Sequence, residues 1–218
     1  KMTSTFVIAE IGINHNGDMN VVRELIDKAA AAGCDAVKFQ KRTVELVYSK
    51  EELDKPRESP WGTTNREQKN GLELTKQDYD EIDAYCRDKG IEWFASAWDL
   101  ESQKFLQQYD LKYNKVASAL LTYRELLEEL AREGKHTFIS TGMSTLEQIA
   151  QAIQIFDEAN CSYELMHTNS TYPMSIEDAN LRVMDTLKEN FQCNVGYSGH
   201  ESGIIVSCAA VARGATSL

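Results

Sequence analysis

FVIAEIGINHNG, residues 6–17, is the stretch whose reading decides the fold. Its first half is a short apolar run with the length and β-branched content of a buried strand, broken only by Glu10. Its second half is a polar turn carrying Gly12, Asn14, His15, Asn16 and Gly17. That turn lacks the G-x-G-x-x-G spacing that opens a dinucleotide-binding unit. An amphipathic segment follows at 21–32, where Val22, Leu25, Ile26 and Ala29 share one face. The next apolar run is Asp35–Gln40. Strand, helix and strand in this order make a βα unit of a parallel sheet.

The same alternation continues along the chain. Further strands are read at Glu92–Trp98, Tyr113–Ser118, His136–Gly142, Tyr163–Asn169 and Val195–His200, and an eighth starts at Ala215–Leu218. After STGM, Leu146, Ile149, Ile153 and Phe156 fall on one helical face. Helices close on glycine in AAAAGCD, RDKGIEW, AREGKHT and ARGATSL, as a left-handed C-cap requires. Seven units without a nucleotide fingerprint favour a (β/α)8 TIM-type barrel over an open doubly wound sheet, truncated at the start of strand 8. No linker or repeat divides residues 1–218, so one barrel domain is expected. The irregular stretch Lys41–Thr75 reads as a long loop with short helical pieces that covers one end of the barrel. Strands 1 and 7 of an incomplete barrel are expected to have unpaired edges. We expect the parent protein to be longer.

The 218 residues include 23 Lys plus Arg against 34 Asp plus Glu, a net charge of −11. That balance argues against nucleic acid or an anionic membrane as partner, and no apolar run is long enough to span a bilayer. The start, KMTST, is not a signal peptide. Five cysteines without a CxxC pair read as reduced, buried thiols of a cytoplasmic protein.

In a barrel of this type the active site forms at the C-terminal ends of the strands. Polar side chains gather there: Glu10; Lys38 and Gln40; Ser96 and Asp99; Lys115 and Ser118; Ser140; His167, Asn169, Ser170 and Tyr172; Ser198, His200 and Glu201. Lysine inside an apolar strand is rare without a partner, so Lys38 and Lys115 point to one anion held by both. Hydroxyls near them suit a phosphate, although Ser118, Ser140 and Ser198 read equally well as backbone or cap partners. His200, between glycines, reads as a metal or substrate ligand. His15 is read either as a ligand or as an organiser of its loop. His167 reads as a core histidine, His136 as structural and Trp61 as a packing anchor.

Taken together, IAEIGINHNGD, AVKFQK, SPWG, NKVAS, STGMST, TYP and GYSGHESG resemble the sialic acid synthase family over essentially the whole chain. The resemblance implies condensation of phosphoenolpyruvate with an open-chain N-acylmannosamine-type sugar, releasing phosphate. It implies that Lys38, Ser96, Lys115, Ser118, Ser140 and Ser198 bind phosphoenolpyruvate, that Gln40 and Tyr172 bind sugar, and that Glu10 is catalytic. It implies a divalent metal, Mn or Mg, between His200 and a second histidine in a strand-8 motif beyond Leu218. A C-terminal antifreeze-like domain, reaching a partner's active site in a homodimer, is also implied. Ser170 stands where some bacterial members carry a sugar-binding Asn. The competing readings are an octulosonate- or heptulosonate-phosphate synthase and a catalytically dead sugar-binding barrel.

Overall fold

The first seven apolar runs read as strands become strands in the computed structural model, which describes residues 4–218, whereas the run at Ala215–Leu218 makes only an isolated bridge, Ser217 with Phe6. The chain divides into two compact units: Ala9–Leu111, and Lys112–Leu218 together with the N-terminal residues through Ile8. Both are α/β.

The first unit is built from β1 (Ile8–Gly12), α1 (Met19–Ala31), β2 (Ala36–Lys41), α2 (Val44–Val47), α3 (Lys50–Leu53), β3 (Pro56–Ser59), β4 (Gly62–Thr64), α4 (Asn65–Leu72), α5 (Lys76–Lys89), β5 (Glu92–Ala97) and α6 (Leu100–Leu106). β2 lies between β1 and β5 and pairs with β5 in parallel, Lys38 opposite Phe94 and Gln40 opposite Ser96. Val22, Ile26 and Ala29 of α1 are buried, the face foreseen from their spacing. Beneath β2 and β5, Phe39, Tyr79, Trp93 and Tyr109 form a continuous aromatic cluster with edge-on and stacked contacts.

The stretch Lys41–Thr75 is more ordered than a loop with helical pieces. It contains a two-stranded antiparallel ribbon, β3 with β4, and an eight-residue helix, α4, closed by a Thr64–Glu67 capping box. Trp61, in the tight turn of that ribbon, packs on Gly71. A methyl on Gly71 would lie 2.1 Å from the indole, so only glycine lets the ring settle there. The expected packing role of Trp61 is met.

The second unit contains β6 (Tyr113–Val116), α7 (Arg124–Arg132), β7 (His136–Ser140), α8 (Leu146–Glu158), β8 (Tyr163–Thr168), α9 (Val183–Phe191), β9 (Val195–Ser198) and α10 (Ile205–Ala212). Its four strands run parallel in chain order. In α8, Ile149, Ile153 and Phe156 are buried, but Leu146 at the first position is 44% exposed. The helical stripe has its core only from the second turn onward.

The ends of this unit correct one expectation. The edges of the first and last strands are not bare at their starts. The Phe6 and Ile8 amides bond the Thr216 and Leu218 carbonyls at 2.9 and 2.8 Å, and the Tyr197 amide bonds the Ser217 carbonyl at 2.9 Å. Residues 216–218 thus fill the place of a next strand between β9 and Phe6–Ile8. Phe6 adds ring contacts to Tyr113 and Phe138.

The glycines after α1, α5, α7 and α10, at positions 33, 90, 134 and 214, all take positive φ, as their helix-ending positions require. The five cysteines are free, but only Cys86 and Cys161 are buried. Cys34 and Cys193 are intermediate and Cys208 is exposed, so the expectation of buried thiols holds for Cys86 and Cys161 alone. Among the described residues no helix is long and apolar enough to cross a membrane.

Gly196 lies hard against residue 217 in the second unit. A methyl there would lie 2.1 Å from Ser217 Oγ and 2.7 Å from the Ser217 carbonyl oxygen. Gly196→Ala is expected to cost about 1–3 kcal/mol, read by equilibrium denaturation. Adding Ser217→Ala should recover only part of the loss, because the carbonyl remains.

Candidate active site

In the first unit the chemistry gathers around one buried ammonium. Lys38 is 8% exposed because β2 is apolar on both sides of it. Its Nζ donates to Ser96 Oγ at 3.2 Å and forms an ion pair with Glu10 Oε2. The carboxylate and the hydroxyl replace the water a lysine loses on burial. Glu10 lies within β1 rather than at its end, and it is exposed. Its other oxygen, Oε1, accepts from Gln40 Nε2 at 3.2 Å. Gly12 takes φ +55°, and a methyl there would sit 2.8 Å from Glu10 Oε1 and 3.3 Å from Gln40 Nε2. The absence of a side chain at position 12 lets carboxylate and amide meet. Glu10, Lys38, Gln40 and Ser96, four of the residues picked from sequence, are therefore one bonded group.

Asp99 does other work. It caps α6 through the Ser102 amide at 2.8 Å and accepts from the Thr43 amide at 2.7 Å. Sequence reasoning missed Arg42 and Glu73, which stand directly behind Gln40. Arg42 donates to Gln40 Oε1 and stacks on Trp98 at 4.3 Å. Glu73 accepts from the Arg42 amide at 3.1 Å and from Lys41 Nζ at 3.4 Å, and burial pushes its carboxyl above the usual range despite those cations. The signal was present in the run KFQKR, where two further basic residues follow a strand already holding Lys38.

In the second unit Lys115 is 5% exposed, and its Nζ donates to Ser140 Oγ and to the Val116 carbonyl, both at 2.7 Å. Ser118 begins a 3-10 turn after β6, not the strand end expected, and its Oγ accepts from the Gly142 amide at 3.0 Å. A methyl on Gly142 would lie 2.4 Å from Ser170 Oγ and 2.8 Å from Ser118 Oγ, so two candidate hydroxyls converge on that glycine. Ser198 ends β9, opposite Thr168.

His200 is held by its Nδ1, 2.6 Å from the Asn169 carbonyl oxygen. A carbonyl only accepts, so Nδ1 carries a proton, and in the neutral ring the lone pair is then on Nε2. That lone pair faces the Tyr172 hydroxyl, and the two rings lie 3.8 Å apart between centroids. Tyr172 is 77% exposed. Tyr172 and His200 are thus brought together, with Asn169 as the orienting group.

The tautomer of His200 suits a metal donor, with its Nε2 lone pair here engaged by the Tyr172 hydroxyl. Among the described residues, however, no group of three His, Cys, Asp or Glu side chains is placed to hold an ion. These residues do not make a metal centre by themselves.

The other histidines have hydrogen-bond partners within their own surroundings. His15 is 2% exposed, and its Nδ1 accepts from the Gly17 amide at 2.9 Å, so it orders its own loop. His167 Nε2 donates to the Ala179 carbonyl at 2.8 Å, as a satisfied core imidazole does. His136 bonds Ser162 at 3.1 Å at the start of β7.

The described residues thus form an α/β fold with lysine–serine pairs on its strands and a histidine in a glycine-rich turn. Comparison narrows this: residues 25–218 match the NeuB family model, and the chain belongs to that family. It is 38% identical over 96% of its length to N-acetylneuraminate-9-phosphate synthase of Mus musculus, covering 59% of that protein. It is 34% identical to N,N'-diacetyllegionaminic acid synthase of Campylobacter jejuni over 98% of this chain and 66% of that one. The crystal structure of N-acetylneuraminic acid synthetase from Leptospira borgpetersenii, in complex with citrate, superposes with a TM-score of 0.87 at 32% identity, over 98% of this chain and 71% of that one. The chain spans 59% of the length of the mouse relative.

Burial lowers the pKa of both His15 and His167 from the ordinary 6.5. Both bind a proton more readily when unfolded, so their contribution to stability is present above about pH 6.5 and is lost as pH falls. Denaturant midpoints between about pH 7.5 and 5 should decline. The pair His15→Asn and His167→Gln should flatten that slope.

Proposed function

We propose that this chain is the catalytic domain of a nonulosonic acid synthase, folded as a (β/α)8 barrel truncated at the start of strand 8. In this reading it condenses phosphoenolpyruvate with an open-chain N-acylmannosamine-type sugar and releases phosphate. The observation that carries the reading is the pair of buried ammonium groups, Lys38 and Lys115, each bonded to a strand serine, Ser96 and Ser140. The barrel is supported by the pairing of residues 216–218 with both β9 and Phe6–Ile8, and by the likeness to the Leptospira synthetase.

Lys38 and Lys115 serve the carboxylate and phosphate of phosphoenolpyruvate, with the hydroxyls of Ser96, Ser118, Ser140 and Ser198 as donors. The C2–C3 π electrons of phosphoenolpyruvate form the bond from C3 to the sugar aldehyde carbon as its C=O π bond breaks, leaving positive charge at C2 and an alkoxide that takes up a proton. Water then adds at C2 and loses a proton, and the C2–O bond to phosphate breaks as the C2 ketone forms and phosphate departs. Glu10, held by Lys38 and Gln40, stabilises positive charge at C2 or takes the proton of that water. Gln40, Ser170 and Tyr172 position the sugar. A divalent cation, Mn or Mg, supplies Lewis-acid polarisation of the aldehyde when bound, and His200 Nε2 offers it one donor. The same reading carries a homodimer in the cytoplasm, without nucleic-acid or membrane partners.

Phosphate release measured with a panel of N-acyl sugars tests the proposal, and no release with any of them rejects it. Lys115→Ala should raise the phosphoenolpyruvate KM about 10- to 100-fold, the worth of a charge-assisted contact, and leave the sugar KM nearly unchanged. Equal effects on both constants would contradict the assignment. His200→Ala should abolish activity and its metal dependence together.

A further inference from the structure

Arg42 is a guanidinium in an unusual position. Its side chain is 11% exposed, it lies over the Trp98 ring, and its Nε is buried without a protein acceptor among the described residues. Its nearest carboxylate, Glu73, stands 3.9 Å from Nη1, beyond hydrogen-bond distance. Among the described residues the acceptor its guanidinium reaches is Gln40 Oε1. A buried guanidinium contributes little stability unless most of its donors are met, so structural anchoring accounts poorly for this arrangement.

The bond to Gln40 has a definite chemical consequence. A carboxamide has one accepting end and one donating end, and it can flip. Arginine only donates, so the amide oxygen must face Arg42. The amide nitrogen is then turned to the opposite side, where Glu10 Oε1 accepts it at 3.2 Å. The ends of the chain Arg42–Gln40–Glu10 therefore select one orientation of the amide between them. Glu10 Oε2 remains for Lys38.

We propose that Arg42 is a positioning residue that locks the Gln40 carboxamide with its N–H end toward Glu10, so that Gln40 meets the sugar as a hydrogen-bond donor and selects an oxygen acceptor there. This rests on the reading of Gln40 as a sugar-binding group. Without Arg42 the amide oxygen loses its donor and only Glu10 Oε1 still selects that orientation, so the amide is held from one end instead of two. Trp98 holds the guanidinium plane in place, a role lysine fills badly because it lacks the planar fork.

Two measurements on Arg42→Met and Arg42→Lys test this. Methionine keeps the apolar contact with Trp98. The first is the side-chain amide resonance pair of Gln40 in the purified protein, assigned by its loss in Gln40→Ala. It should shift in Arg42→Met and move part of the way back in Arg42→Lys, while the melting temperature shows that both variants fold. The second is kinetic. In Arg42→Met the sugar KM should rise about tenfold, the loss of one oriented hydrogen bond, with the phosphoenolpyruvate KM nearly unchanged and partial rescue by lysine. An unshifted Gln40 resonance overturns the inference. So does an unchanged sugar KM in an active protein, or an equal rise in both constants. If the wild type consumes no phosphoenolpyruvate with any N-acyl sugar, the proposed function fails, and the resonance alone then decides whether Arg42 orients the amide.

Discussion

A charged ammonium set inside an apolar strand is the constraint on which the first unit is organised. Lys38 gives up most of its hydration, and an isolated cation could not remain there. Glu10 and Ser96 supply what water would have. Bringing Glu10 into place requires room over β1, and Gly12 provides it. The remaining carboxylate oxygen requires a donor, and Gln40 provides that. Each partner thus creates a need that the next residue meets, outward to Arg42, Trp98 and Glu73.

The second unit solves a similar problem with hydroxyls and backbone. Lys115 is met by Ser140 and a carbonyl, while Ser118 and Ser170 crowd the α-carbon of Gly142. His200 shows how a backbone oxygen fixes chemistry: the Asn169 carbonyl takes the Nδ1 proton and leaves Nε2 as the reactive end. His15 and His167 differ in degree of burial and in having polar partners that satisfy them inside their own structure. A strand position alone does not distinguish these roles. The partner of each ring nitrogen does.

Particular elements show where a linear reading succeeds. The four helix-ending glycines could be foreseen because left-handed φ is nearly closed to other residues, a local rule. The lysines of β2 and β6 were legible because charge within an apolar run is conspicuous. The ribbon of β3 and β4 was not legible. Its strands are three and four residues long and mostly exposed, so PRES and GTT carry no apolar alternation to read. Leu146 matched the helical period but lies at the first position of α8, before that helix meets the core.

The amino-acid sequence by itself determined the alternation of strands and helices, their glycine stops and the identity of the strand-borne lysines and serines, because these follow from period, backbone sterics and the cost of burying charge. Tertiary structure alone decided the pairing of residues 216–218 with both Phe6–Ile8 and β9, the proton on His200 Nδ1, and the placing of Arg42 behind Gln40. Those depend on which groups distant in sequence come within hydrogen-bonding distance. Hydrogen bonds are directional and short, so no local pattern along the chain encodes their partners.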